Sequence, residues 1–319
     1  MFRPLAIASL ALLAVSQSVR RQLRQPDSAD PVQPPESAAP DAFLEPAGLR
    51  QQTLDRLACY LRHYSLGSCG PRGFLGTFAA HVQLEMALER LHGLPCVLYS
   101  CSSTAVQSAL GACGCDTVLL QPGSSPNLAR CAETQRAVGL DLAGLGALAP
   151  EAFAAEMAAL RCKLAGARPF LAVDSHRFEA GFPVPADLLL AKRVGAALGV
   201  RVLLNNLMAP LQPELGNFDL VAGCFHAAYG VSCGFVCGSR LLVENQRYGG
   251  LGYCFSASAP PALVQVLLDL VRDRARLEAN CAELRARGLE VEGFYARNAG
   301  RVLRVRQEWG GPELDRACE

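Results

Sequence analysis

Apolar residues recur along the chain in two forms, short runs and longer helical stripes. The short runs are Cys96–Ser100, Thr117–Leu120, Phe170–Val173, Val200–Leu204, Leu220–Ala222 and Phe235–Cys237. Brief apolar runs bounded by turn residues predict strands buried on both faces. Helical spacing appears between them, over Leu49–Arg62, Ser103–Ala112, Pro150–Leu164 and Pro185–Leu198, the last stopped by Gly199. A further helix ends at His92 and sets Leu84, Leu88 and Leu91 on one face. After Pro260-Pro261 the pattern predicts a long helix with Leu263, Leu267, Leu270, Leu277, Cys281 and Leu284 on one stripe, ended by Gly288. Leu289–Val291 and Val302–Val305 predict two more strands. The alternation predicts an α/β fold: a large domain over residues 49–258 with a mostly parallel sheet, then a long helix and a truncated small α+β domain over 259–319.

The amino-terminal pattern is different. Pro4 to Val15 is nearly all apolar, and no charge occurs from Pro4 to Val19. Residues 1–24 read as a membrane anchor or a signal segment, with Ala14-Val15-Ser16 resembling a cleavage site. One arginine precedes the run, while Arg20, Arg21 and Arg24 follow it, which favours an anchor with the body on the cytoplasmic side. Residues 25–48 carry six prolines and read as an extended linker.

Composition narrows the function. At 51% hydrophobic and 18% charged residues, the 319-residue chain has ample material for a packed core. A net charge of +1 gives no electrostatic case for nucleic-acid binding. Only Lys163 and Lys192 could serve any lysine chemistry, since every other basic residue is arginine. The fourteen cysteines show no paired C-x-x-C knuckles, so they read as small buried apolar residues in a reducing compartment, and no metal site is predicted.

In open α/β sheets, ligands sit beyond the carboxyl ends of the strands. Those positions hold Asp174-Ser175-His176, Asn205-Asn206-Leu207-Met208 and Cys224 to Ser232. Asp174 to His176 contains fragments of a hydrolase triad, but no G-x-S-x-G elbow accompanies them.

Three segments carry a resemblance to a known family: SCGPRGFLGTFAAHVQLE at Ser68–Glu85, the stretch Leu220–Gly238 ending in CGFVCG, and QRYGGLGYCFSASAPP at Gln246–Pro261. Together they resemble the α-oxoamine synthases, and most closely the lysine-lacking first subunit of serine palmitoyltransferase. The resemblance implies a fold-type-I pyridoxal-phosphate transferase architecture and a dimer that condenses serine with a fatty acyl thioester, at the start of sphingolipid synthesis. It also implies that a Schiff-base lysine should follow a strand just before a glycine turn, where this chain has Ala227. The acid that keeps the pyridine nitrogen protonated should stand at Asn205. The aromatic histidine that stacks on the ring is absent from QPGSSPN, residues 121–127.

These losses imply no catalytic residue and no covalently bound cofactor in this chain, with pyridoxal phosphate on a lysine-bearing second subunit. The residues implied to line a shared cleft with that partner are Cys69, Gly70, Arg72, Gly73, Phe74, Gly76, Thr77, His81, Tyr253, Ser256 and Ser258. Arg72 is open to a phosphate, a carboxylate or an acid across the dimer; His81 and His226 read as packing residues. The resemblance further implies the endoplasmic reticulum membrane, with the body facing the cytosol. The readings left beside it are a pseudoenzyme scaffold or regulator, and an active α-oxoamine synthase.

Overall fold

A computed structural model describes residues 47–273, apart from 180–181, 208–209, 212–217 and 230. The anchor and linker before residue 47 lie outside the described residues. So do the remainder of the long helix beyond 273, with Leu277, Cys281, Leu284 and Gly288, and the two strands expected after it.

The chain enters through helix α1 (Ala47–Tyr64) and, after the glycine-rich segment, α2 (Ala79–His92). Strand β1 (Cys96–Tyr99), helix α3 (Ser102–Ala112), β2 (Thr117–Leu120) and β3 (Arg136–Gly139) follow. Helix α4 (Pro150–Lys163) leads to β4 (Pro169–Asp174) and a hairpin of β5 (His176–Glu179) and β6 (Phe182–Pro185). Then come α5 (Leu188–Leu198), β7 (Arg201–Asn206), β8 (Leu220–Cys224), the short α6 (Phe225–Tyr229) and β9 (Gly234–Gly238). Helices α7 (Arg240–Gly249), α8 (Leu251–Cys254) and α9 (Pro261–Arg272) complete the described chain.

Seven strands form one sheet in the order β1-β9-β8-β7-β4-β2-β3. Every pairing is parallel except those of β9, which runs antiparallel to both β1 and β8. The mostly parallel sheet expected from the pattern is therefore present, with one reversed strand. Pleating explains the apolar runs. On one face Leu98, Leu119, Leu171 and Leu204 meet α2, α4, α5 and α9; on the other Val97, Val118, Phe170 and Leu203 meet α3 and α7. Both faces are covered, so a central strand needs no polar position.

Four features depart from the sequence expectation. Strand β3, with the sequence RAVG, is a largely exposed edge whose pattern carries no buried run. The β5–β6 hairpin holds two prolines, and its short strands pair only with each other. Helix α5 starts three residues after Pro185, because Asp187 caps it by accepting from the Leu190 N–H at 2.9 Å, and Gly199 closes it at φ 70°. The cysteines are mixed: Cys96 and Cys237, neighbours on the antiparallel strands β1 and β9, form a disulfide, and Cys59, Cys69 and Cys162 are exposed. Others do fill the core as expected. Burial pushes the Cys115 thiol up to about 11 and the Cys131 thiol up to about 12.

The reversed strand is held close to the turn that opens α3. A methyl group at Gly234 would lie 2.7 Å from the Cys101 carbonyl and 2.8 Å from the Ser102 nitrogen, both backbone atoms that cannot swing aside. Gly234→Ala should therefore destabilise the protein by about 1–3 kcal/mol. Thermal unfolding measures it, and an unchanged midpoint would mean that β9 does not pack on this turn.

Candidate functional site

Two constellations emerge on the sheet. The first joins the two most specific segments of the family resemblance, nearly two hundred residues apart in sequence. The glycine loop 68–77 lies against residues 253–258: the Gly73 N–H donates to the Tyr253 carbonyl (3.2 Å), the Ser258 N–H to the Gly70 carbonyl (3.1 Å), and Pro71 bridges Ala257. Ser258 Oγ donates to the Gly76 carbonyl at 2.6 Å. Gly76 is required by close approach, since a Cβ there would overlap the Gly70 carbonyl.

Arg72 is the inner anchor of the loop. Its Nε donates to Thr77 Oγ1 (3.0 Å), and its Nη1 to Glu85 Oε1 on α2 (2.9 Å). Glu85 also accepts from the Leu98 N–H of β1 (2.9 Å) and from Arg247 Nη2 of α7 (3.3 Å). Arg72 is 4% exposed and lies over the Tyr253 ring. The structure thus corrects the open assignment of Arg72: its acid is Glu85 of the same chain, and burial denies it to a phosphate.

His81, fully buried, accepts from the Phe78 N–H through Nδ1 (3.1 Å), and its Nε2 donates to the Ala259 carbonyl (2.8 Å). Both ring nitrogens are used by a neutral imidazole with the proton on Nε2. Burial, then the nearby Arg72 charge, push its pKa down to about 4. This matches the packing role expected for His81. His226 departs from that expectation, because it is exposed on α6.

The loop residues therefore separate. Arg72, Gly76, His81, Tyr253 and Ser258 are buried and build the loop, whereas Cys69, Gly73, Phe74 and Thr77 face outward, and Gly70 and Ser256 are half-buried. The outward surface is apolar. Leu66, Phe74 and Leu75 on the loop, and Leu251 and Phe255 beside it, are each about seven-tenths exposed or more. Monomeric proteins rarely leave such large side chains clustered in water.

The second constellation lies at the carboxyl ends of β2, β4 and β7. Asp174, ending β4, accepts from the Ser125 N–H and from Ser125 Oγ, each at 2.7 Å. Asn205, its register partner on β7, donates through Nδ2 to the same carboxylate at 2.6 Å. Burial pushes the Asp174 pKa up, against the pull of these donors. Beside this cluster, Asn127 links Ser102 and Ser103 at the start of α3, and Ser100 and Ser256 place their hydroxyls 3.5 Å apart. Ser256 thus meets a hydroxyl of its own chain. Ser175 Oγ contacts His176 Nδ1 at 3.1 Å, while Asp174 is committed to Ser125 and Asn205.

Ala227 lies in α6, immediately after β8, as the pattern places it. The two lysines stand elsewhere: Lys163 ends α4, and Lys192 on α5 lies over the Phe218 ring. A Schiff base to pyridoxal phosphate does not fit the residues present at α6. Sequence reading passed over Glu85, Ser125 and Arg247 as site residues. Glu85 had a visible signal, an acid inside an otherwise apolar helix face; Ser125 had none, because only the fold brings it to Asp174.

The neutral, buried His81 makes stability depend on pH. The unfolded side chain titrates near 6.5 and the folded one near 4, so its contribution is complete above 6.5 and is lost as pH falls toward 4. The full loss amounts to about 3 kcal/mol. His92, also pushed down by burial, acts in the same direction. Urea unfolding between pH 7 and pH 5 should show His81→Gln with a shallower loss than the parent chain; equal slopes would mean that His81 is not buried neutral.

No family model matches the chain. It is similar to serine palmitoyltransferase 1 of Dictyostelium discoideum, at 26% identity over 256 residues, covering 73% of this chain and 53% of that protein. It is also similar to long chain base biosynthesis protein 1 of Arabidopsis thaliana, at 21% identity, with 69% and 49% covered. The chain spans about half the length of these relatives. Among solved structures, serine palmitoyltransferase with PLP superposes with a TM-score of 0.58 at 20% identity, covering 73% of this chain and 61% of that one. The Sphingomonas wittichii serine palmitoyltransferase gives 0.55 at 19% identity, with 69% and 57% covered. The fold is that of a fold-type-I pyridoxal-phosphate enzyme, and the sequence resembles the first subunit of serine palmitoyltransferase within the α-oxoamine synthases.

Proposed function

We propose that the chain is the non-catalytic partner subunit of a serine palmitoyltransferase-like heterodimer. The complex condenses serine with a fatty acyl-CoA in the first step of long-chain base synthesis. The observation that carries this reading is the apolar surface made by the glycine loop and the 251–255 segment, the two places where the resemblance is most specific. A lysine-bearing second subunit covers it. Ala227 in α6 supports a division of labour in which pyridoxal phosphate, which would supply the electron sink for the condensation, is held covalently by the partner. This chain stiffens the loop through Arg72, Glu85 and Ser258, and presents Cys69, Gly73, Phe74 and Thr77 to the shared cleft.

Co-expression with a lysine-bearing subunit, followed by affinity capture and borohydride reduction, tests the reading. The partner should be recovered in near-equal amount, and a pyridoxyl group should be fixed on the partner alone. Phe74→Glu with Phe255→Glu places two charges in the interface and should reduce recovery at least about tenfold, because an unpaired charge buried there costs several kcal/mol. A pyridoxyl group fixed on Lys163 or Lys192 would refute the assignment. Undiminished recovery of the double variant would remove the surface from the interface.

The reading extends to the endoplasmic reticulum membrane, with residues 1–24 as the attachment and the body in the cytosol. The support is the arginine asymmetry around the apolar run. Among the described residues no helix is long and apolar enough to cross a membrane. In sealed microsomes, added protease should degrade the body; a protected body would place it in the lumen.

A further inference from the structure

Strand β1 is the outer strand of the sheet and pairs with β9. Its other edge is fastened by side chains. In the β1–β9 ladder the Gly238 N–H donates to the Pro95 carbonyl at 3.2 Å. The next register pair, Cys96 and Cys237, therefore exchanges no backbone hydrogen bond, and its Cα atoms approach to 4.3 Å. The backbone polar groups of Cys96 and Leu98 face the outer edge instead. There the Cys96 carbonyl accepts from Arg247 Nη2 at 3.1 Å, and the Leu98 N–H donates to Glu85 Oε1 at 2.9 Å. Arg247 and Glu85 belong to the network that holds Arg72 under the glycine loop. The Cys96–Cys237 disulfide thus lies where the support of the loop is attached to the sheet. It joins positions 141 residues apart, while the ten other described cysteines are free thiols.

We propose that Cys96 and Cys237 form a redox-operated latch: the disulfide holds β1 on β9 and keeps the glycine loop ordered, and its reduction frees β1 and loosens the loop. The bond exchanges with a low-molecular-weight thiol–disulfide couple such as glutathione. In closing, the thiolate of one cysteine attacks glutathione disulfide, and one glutathione thiolate leaves. The thiolate of the other cysteine then attacks the protein sulfur of the mixed disulfide, and the second glutathione leaves. The two cysteines lose two electrons and two protons, which the glutathione disulfide gains as two thiols; opening is the reverse. Cys96 and Cys237 are 2% and 0% exposed, so the couple reaches them when the edge strand opens locally. In a glutathione-buffered cytosol, where the partner reading places the body, such a bond is transient or redox-sensing. The latch itself needs no second subunit. The order of the loop is read on this chain alone, so the latch and the partner reading can fail separately.

The test uses the full chain, equilibrated under native conditions with glutathione disulfide or with dithiothreitol. Mass spectrometry maps the disulfide, and amide hydrogen exchange reads the loop. The Cys96–Cys237 bond should be closed in the first condition and open in the second. The Gly73 N–H donates to the Tyr253 carbonyl and the Ser258 N–H to the Gly70 carbonyl, so their amides report loop order, and the Leu98 amide reports the β1 edge. In the reduced chain these three amides should exchange about tenfold faster or more. Arg136, on the exposed strand at the opposite edge, should keep its rate. Cys96→Ala with Cys237→Ala should show the rates of the reduced chain in both conditions. Cysteines that stay unpaired in glutathione disulfide, or a bond that opens only in denaturant, overturn the latch. Equal rates for the loop amides in the two states overturn it as well, a result that wild-type protein gives without recourse to a variant. A folded double variant whose rates still follow the redox couple would assign the effect to other thiols and overturn the assignment to this pair.

Discussion

The glycine loop depends on one buried carboxylate. Glu85 receives Arg72 from the loop, Arg247 from α7 and the Leu98 N–H from β1, so a single side chain joins four parts of the chain. Burying charges is expensive, and the interaction is useful only because each charge has a partner and the remaining lone pairs are occupied. Its value is geometric. With Arg72 held below the surface, the backbone of 70–76 must run across the 253–258 segment, and Gly76 must pass close to Gly70. The apolar side chains of that loop are consequently directed outward: Phe74 and Leu75 have no inner space left to occupy. A buried ion pair thus creates an exposed apolar surface.

The sheet supplies the frame for both constellations. Its central strands are apolar on both faces, and polar residues become affordable only where strands end. Asp174 and Asn205 are the final or near-final residues of neighbouring parallel strands, and Ser125 enters from the segment after β2. Parallel strands align their carboxyl ends, so residues far apart in sequence converge without any local signal. The reversed strand β9 packs against the start of α3 through Gly234, and Ser256 reaches the same region from beyond α8.

Much of the frame was legible because burial on both faces leaves a continuous apolar run. Thr117–Leu120 matches its strand, and the Phe170–Val173 run lies within β4, one residue short at each end. Elements lacking that signal were missed. Strand β3 is an exposed edge, β5 and β6 contain prolines, and α7 carries a mixed polar sequence, RLLVENQRYG, in which only Leu242, Val243 and Gln246 are buried. The site was legible to a different extent. The family resemblance located the loop and Ala227, but residue type alone could not tell that Arg72 is spent internally. The difference is set by Glu85, which sits thirteen positions downstream, one face of a helix away. Asp174 was visible at a strand end, yet its meaning comes from Asn205 beside it, a register relation that only the sheet establishes.

The two constellations use their buried charges differently. At the strand ends Asp174 is buried against Ser125 and Asn205, and its carboxylate is met there by neutral donors. The loop obeys a different constraint. Its hydrogen bonds fix the backbone between residues 70 and 76, so the outward side chains there project from an ordered support. Each constellation therefore spends its charged groups on its own chain: Arg72 and Glu85 on the loop, Asp174 on the strand ends.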